Sequence, residues 1–155
     1  MPVNDIVLQR ATVADVAQYL AVERTAIGPK TYSGITDERE ARWEIETNVV
    51  YFIKKGGEIA GTIQYEPGRP ARAYVSGIVV MPEFEGKGVA RGALHLLFKE
   101  LEGIRRIDAV VHPHNVRSLR LFLSFGFIIE SWKDNFFDDG EPRVVLVRIQ
   151  EERQT

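Results

Sequence analysis

Ile78-Val79-Val80-Met81-Pro82-Glu83-Phe84-Glu85-Gly86-Lys87-Gly88-Val89-Ala90-Arg91 is the stretch that decides how this chain folds. Four apolar, mostly β-branched residues predict a buried strand, and a proline ends it. Two glycines then precede Val89, Ala93, Leu96, Leu97 and Leu101, which fall on one helical stripe closed by Gly103. A strand that turns over glycines into a helix leaves the first helical amides uncovered. Together with the helix dipole they make a place for a phosphate or pyrophosphate, and Lys87 and Arg91 add positive charge beside it. In a chain with 13 glycines a Gly-x-Gly also arises by chance, and a simple turn is the competing reading. A Walker loop would need Ser or Thr after Lys87, where Gly88 stands. A dinucleotide fingerprint would need a glycine where Arg91 stands and a shorter strand-to-helix turn, and Asp108, at about the right distance, falls in mid-strand.

Downstream, Arg105 to His112 is apolar on both faces, as a central strand is, and Asn115 then caps a helix carrying Leu119, Phe122 and Leu123. Phe127 to Phe137 and Pro142 to Ile149 predict two closing strands around Asp138-Asp139-Gly140. Upstream, Val49 to Lys55 and Glu58 to Tyr65 flank Gly56-Gly57 as a hairpin, and Pro67-Gly68-Arg69-Pro70 turns into the apolar run Ala71 to Met81. Val3 to Arg10 predicts the first strand. Thr12-Val13-Ala14-Asp15 has the form of a capping box ahead of Val16, Ala17, Leu20 and Ile27, and Thr36 is the expected cap of a charge-rich helix from Asp37 to about Thr47. The order βααββ, βαβ, αββ implies a mixed sheet with helices on both faces, of the α/β or α+β class, rather than a doubly wound parallel fold.

With 155 residues, the chain is the size of one domain. Hydrophobic residues make up 45% and charged residues 27%, and 20 Lys+Arg against 22 Asp+Glu leave a net charge of −2. That balance gives no basic excess for a nucleic-acid partner. The absence of cysteine excludes disulfides, thiol nucleophiles and thiolate metal sites. The first residues carry neither a basic nor an apolar signal segment, and no apolar run reaches bilayer length, so no membrane partner and a cytoplasmic location are expected.

Two segments together resemble the GNAT superfamily of N-acetyltransferases across nearly the whole chain. Glu85-Gly86-Lys87-Gly88-Val89-Ala90 is similar to the family pattern Arg/Gln-x-x-Gly-x-Gly/Ala after the fourth strand, with Glu85 in place of the basic or amide residue. Asn115-Val116-Arg117-Ser118-Leu119, running on to Phe125-Gly126-Phe127, is similar to the family's capped helix after the fifth strand. The resemblance implies a twisted, mostly antiparallel sheet of six to seven strands, acetyl-CoA as the donor cosubstrate, and a primary amine as acceptor. It further implies that the pyrophosphate rests on the amides of Gly86, Lys87, Gly88, Val89 and Ala90 with Arg91 as a helper, and that the pantetheine pairs with the backbone of Val79, Val80 and Met81. Asn115 would lie along the cofactor arm, with Phe122 beside it. Glu85 puts a carboxylate near the phosphate site.

Phe122 stands where many relatives carry an acidic tyrosine. Ser118, one helical turn earlier on the same face, is the candidate partner of the leaving thiolate, by resemblance to the branch acting on ribosomal-protein N-termini. The alternative for Ser118 is a helix-start residue bonded to its own backbone. For the general base, Ala73 to Met81 offers no carboxylate, which leaves His112 by elimination and Glu66 second; imidazoles as a class titrate near neutrality. A structural role for His112 is the competing reading, and a His112/His114 metal pair lacks a third ligand. At pH 7 an α-amine of pKa ~7.8 loses its proton for ~1 kcal/mol and a lysine of ~10.4 for ~4.6 kcal/mol. An α-amine of a protein N-terminus, amino acid or small molecule is therefore the expected acceptor. Tyr32, in the Ile27 to Gly34 loop, and Asp134, in the acidic last hairpin, are the candidate acceptor-binding residues. A homodimer paired through Val144 to Ile149 is a further expectation. A catalytically idle acyl-CoA-binding module and a dinucleotide-binding oxidoreductase remain the alternatives.

Overall fold

The computed structural model describes residues 5–26 and 34–150. β1 (Ile6–Arg10) is followed by a 3-10 turn (Val13–Asp15), α1 (Val16–Arg24) and α2 (Glu38–Thr47). The strands β2 (Val49–Lys55), β3 (Glu58–Gly68) and β4 (Arg72–Val80) come next, then a 3-10 turn (Pro82–Phe84) and α3 (Val89–Glu100). β5 (Arg106–Val111), α4 (Val116–Ser124), β6 (Ile128–Lys133) and β7 (Arg143–Ile149) complete the chain. The seven strands form one sheet in the order β1-β2-β3-β4-β5-β7-β6, antiparallel except for β4 with β5. This is the mixed sheet that the order of strands and helices implies, and it is mostly antiparallel, as the resemblance implies.

Period-two alternation divides the apolar residues between two cores. Ile53, Ile63, Val75, Ile107, Ala109, Val111 and Leu146 face α3 and α4, where Ala93, Leu94, Leu97 and Phe122 pack on them. Val50 and Phe52 face the other way and pack on Val16, Tyr19 and Leu20 of α1 and on Ala41 and Ile45 of α2. Helices therefore cover both faces of the sheet, but α1 and α2 pack only around β2 and β3. The face of β5 and β7 that carries Asp108, Val110 and Arg143 lies opposite α3 and α4.

Three local expectations change. Asp37, not Thr36, caps α2: its side chain accepts from Glu40 N at 2.8 Å, while Thr36 N donates to Glu40 Oε2. Adjacent residues of similar capping propensity are separated only by which one adopts the extended cap conformation. The capping box expected at the first helix is present: Thr12 N donates to Asp15 Oδ2 at 2.8 Å, and the Thr12 hydroxyl donates to the same carboxylate. β6 stops at Lys133 because Asn135 and Asp138 take positive φ, and Asn135 Oδ1 accepts from Gly140 N, closing a broad loop in place of a tight turn. β7 bonds to β5 on one side and β6 on the other, so Val144 to Ile149 offers no free edge to a second copy.

Candidate active site

The site begins with a fault in the sheet. β4 pairs with β3 along its whole length, but Ser76 is an extra residue between Val75, opposite Tyr65, and Gly77, opposite Gln64. Its hydroxyl donates to Gln64 O at 3.4 Å. Such a bulge bends the strand. On the other edge, β4 and β5 pair only as far as Val75 with Ala109, although β4 runs on to Val80 and β5 to Val111. The two strands part there, leaving the edge of β4 from Ser76 onward without a strand partner. This is where the backbone of Val79, Val80 and Met81 is expected to meet an extended ligand arm. Gly61 secures the opposite edge: a Cβ there would lie 2.0 Å from Val79 O, so only glycine lets β3 approach β4 this closely.

α3 starts near the end of this parted strand. Gly86 and Gly88 both adopt φ of 76°, a conformation that favours glycine, and a Cβ on either would meet nothing within 4 Å. The first amide to bond inside the helix is that of Gly92, to Gly88 O at 3.0 Å. The amides of Val89, Ala90 and Arg91 precede it and have no acceptor within the helix. The Val89 side chain is itself buried, so that residue offers only its backbone to a ligand. Lys87 lies over the Phe84 ring at 5.7 Å and Arg91 over the Phe125 ring at 5.5 Å, flanking the turn with positive charge. Glu85 is mostly exposed, its Oε2 3.9 Å from Arg117 Nη1. These features fit a diphosphate: glycines demanded by φ, open space above them and uncovered amides.

Between the parted strands lies a cavity that draws its walls from both faces of the sheet. Val75, Ser118 and Phe122 contribute from the α4 side, Val110, His112, Phe137 and Arg143 from the other, with Ser76, Gly77 and Asn115 between. Asn115 Oδ1 accepts from Ser118 N at 3.3 Å, so it caps α4 and lines the cavity at once. Phe122 is buried edge-on against Phe127, at 5.1 Å between ring centres. His112 is 2% exposed. Its Nδ1 is 3.0 Å from His114 N, which can only donate, so Nδ1 carries the lone pair and Nε2 the proton. Nε2–H donates to Glu141 Oε1 at 2.8 Å. In this tautomer neither ring nitrogen has a lone pair to offer an amine; the proton acceptor that the pair presents is the Glu141 carboxylate.

The remaining candidates lie elsewhere. Glu66 is not among the cavity-lining residues; it pairs across the strands with Tyr74, whose hydroxyl is pushed up to about 12, by burial first and the charges of Glu66 and Glu44 next. Burial also raises the Glu44 carboxyl, with Asn48 opposing and Glu66 adding to the shift. Asp134 is engaged by Trp132 Nε1 at 3.0 Å, away from the cavity wall. Tyr32 lies outside the described residues. Sequence reasoning marked the last hairpin only as acidic and gave neither Glu141 nor Arg143 a role. Their signal is the two-residue spacing after Gly140, which sets both side chains toward one side of an extended chain. Among the described residues no group of three His, Asp or Glu side chains is arranged to hold a metal, and no helix is long and apolar enough to cross a membrane.

Known proteins resemble this chain in sequence or in fold. The L-2,4-diaminobutyric acid acetyltransferase of Wolinella succinogenes is 28% identical over 112 residues, 68% of this chain, and the match spans 62% of that protein's length. The ribosomal-protein-S18-alanine N-acetyltransferase of Escherichia coli superposes with a TM-score of 0.79 at 18% identity, covering 97% of each chain. A ribosomal L7/L12 α-N-protein acetyltransferase in complex with coenzyme A does so with a TM-score of 0.80 at 19% identity, covering 96% of each. Residues 16–127, from the start of α1 through the glycine turn and the parted strands to the end of α4, match the acetyltransferase (GNAT) family. The chain belongs to that family, whose donor is acetyl-CoA.

Proposed function

We propose that this chain transfers the acetyl group of acetyl-CoA directly to an α-amine. The observation that carries the reading is the cavity between β4 and β5: Ser118 and Phe122 of α4 line it from one face of the sheet and His112, bonded to Glu141, from the other, so a donor and an acceptor can meet there from opposite faces. The amides from Gly86 to Ala90, with Lys87 and Arg91, hold the diphosphate, and the free edge of β4 at Val79, Val80 and Met81 pairs with the pantetheine arm. Asn115 and Phe122 flank that arm.

Acetyl-CoA supplies an activated thioester. The amine nitrogen forms a bond to the acetyl carbon, the C–S bond breaks, and two protons leave the original ammonium, one ending on the thiol and one in solvent. Glu141 takes the first, and His112 holds its carboxylate in place from a buried position. Ser118 faces the leaving sulfur. A carboxylate is a modest base, which suits an α-amine (~1 kcal/mol to deprotonate at pH 7) better than a lysine side chain (~4.6 kcal/mol). The diaminobutyrate-acetylating relative supports an amine acceptor.

Release of free thiol from acetyl-CoA with a panel of α-amines, lysine side chains and polyamines tests the reading. Turnover on α-amines is expected. Turnover confined to lysine side chains or polyamines overturns the choice of acceptor, and acetyl-CoA binding without turnover on any amine would make the chain an idle binder of the same fold.

A further inference from the structure

Arg143 is the largest of the fully buried side chains among the described residues, and it is a cation set in the wall of the cavity. Its Nη2 donates to Asp139 Oδ2 at 2.9 Å and its Nη1 to Pro142 O at 3.0 Å, with the Phe137 ring 5.1 Å from the guanidinium carbon. These bonds engage two of its five N–H groups, and the other three have no acceptor among the described residues. Two residues earlier, Glu141 has Oε1 on His112 while Oε2 makes no bond among the described residues. One hairpin thus sets a guanidinium with free donors in the cavity wall and, two residues before it, a carboxylate bonded to His112 of the same wall.

We infer that the acceptor is a free α-amino acid bound as its zwitterion, its ammonium on Glu141 and its carboxylate on Arg143. The inference rests on the proposed transfer to an α-amine and names the class of molecule that carries it. A guanidinium presents parallel N–H groups that match a carboxylate in planar, two-point fashion, which a lysine cannot copy. Asp139 balances Arg143 before the acceptor arrives, and a zwitterion adds one charge of each sign, so the buried site keeps its net charge on binding. A protein N-terminus bears a neutral peptide carbonyl where the amino acid bears a carboxylate, and so gains much less from Arg143. The spacing adds a steric reason: two residues of extended chain separate the two groups by at most ~7 Å, a span that the side chains close around a single amino-acid backbone.

The test compares free L-amino acids with their α-carboxamides as acceptors, reading thiol release from acetyl-CoA, for the wild type and for Arg143→Gln. The wild type should use the best free acid at least twentyfold more efficiently, in kcat/KM, than its carboxamide. Arg143→Gln should raise KM for the acid at least tenfold and leave the carboxamide within threefold. Equal use of acid and carboxamide by the wild type overturns the inference. So does an Arg143→Gln loss that falls alike on both, since that is what a purely structural clamp of the hairpin would give. If the variant does not fold, the wild-type comparison decides. Efficient turnover of carboxamides alone would sink this inference and leave transfer to an α-amine standing, whereas no thiol release with any amine would remove both.

Discussion

Glu141 Oε1 lies 2.8 Å from Nε2 of His112, a residue 29 positions earlier in the chain, and the opposite nitrogen of that ring is held by the His114 amide. The ring is thereby fixed as a donor to the carboxylate. Glu141→Gln keeps an oxygen for the His112 proton and preserves side-chain volume, but removes the negative charge. It should lower kcat about 10²- to 10³-fold while leaving the unfolding midpoint within a few degrees. A loss under threefold would place the proton elsewhere.

Ser118 lines the cavity beside Phe122, where no phenol is available to protonate the departing sulfur. A thiol of pKa ~8.5 leaves as thiolate at pH 7 for only ~2 kcal/mol, so the hydroxyl's contribution is bounded. Ser118→Ala should reduce kcat about tenfold with KM for acetyl-CoA unchanged. An unchanged kcat at saturating substrates would leave Ser118 with the helix start alone.

Glu85 sits beside the amides proposed for the diphosphate and is mostly exposed, with Arg117 as a distant partner at 3.9 Å. Glu85→Gln should tighten acetyl-CoA binding about two- to fivefold at low ionic strength, and the gain should vanish near 0.5 M salt, where charges this exposed are screened. Calorimetry at the two salt concentrations measures both numbers.

Gly61→Ala forces a Cβ against Val79 O, at 2.0 Å in the unrelaxed geometry. The strands must separate to admit it. A stability loss of about 2 kcal/mol or more in denaturant unfolding is expected, with weaker acetyl-CoA binding because the same pairing sets the free edge of β4.

Tyr51 and Tyr65 both donate to Glu100, with Tyr65 at 2.7 Å. Burial first, then the bond to Glu100 and its charge, pushes the Tyr51 hydroxyl from 10.0 up to about 12, and the same causes raise that of Tyr65. The folded protein therefore holds these protons more tightly than the unfolded chain does. Their contribution to stability is complete below pH 10 and is lost as pH rises from 10 toward 12 and beyond. Absorbance of tyrosinate at alkaline pH, with denaturant midpoints at matched pH, should show this decline. Glu100→Gln should move the tyrosinate transition toward lower pH.

Much of the fold was legible because its determinants are short-range. The stripe from Val89 to Leu101, the glycines at 86 and 88 and the cap at Asn115 each depend on neighbours within a few residues, and each lies where local chemistry puts it. The α2 cap shows the limit of that reasoning, since Thr36 and Asp37 offer the same chemistry one residue apart. The candidate site was legible on the donor side, where backbone conformation makes it, and much less so on the acceptor side. Glu66 and Asp134 are acidic residues near strand ends, just as Glu141 is, and nothing local distinguishes them.

The sequence by itself determined the order of the elements, the two core faces and the glycine turn, because periodicity and φ preferences act over one or two turns of chain. Only the tertiary structure decided that β4 and β5 part after Val75, that Glu141 locks His112 as a donor, and that Arg143 joins His112 in one cavity wall. The physical reason is range: a hydrogen-bond partner assigns a histidine's proton, and here that partner is brought to it by sheet register across 29 residues, which no local pattern encodes.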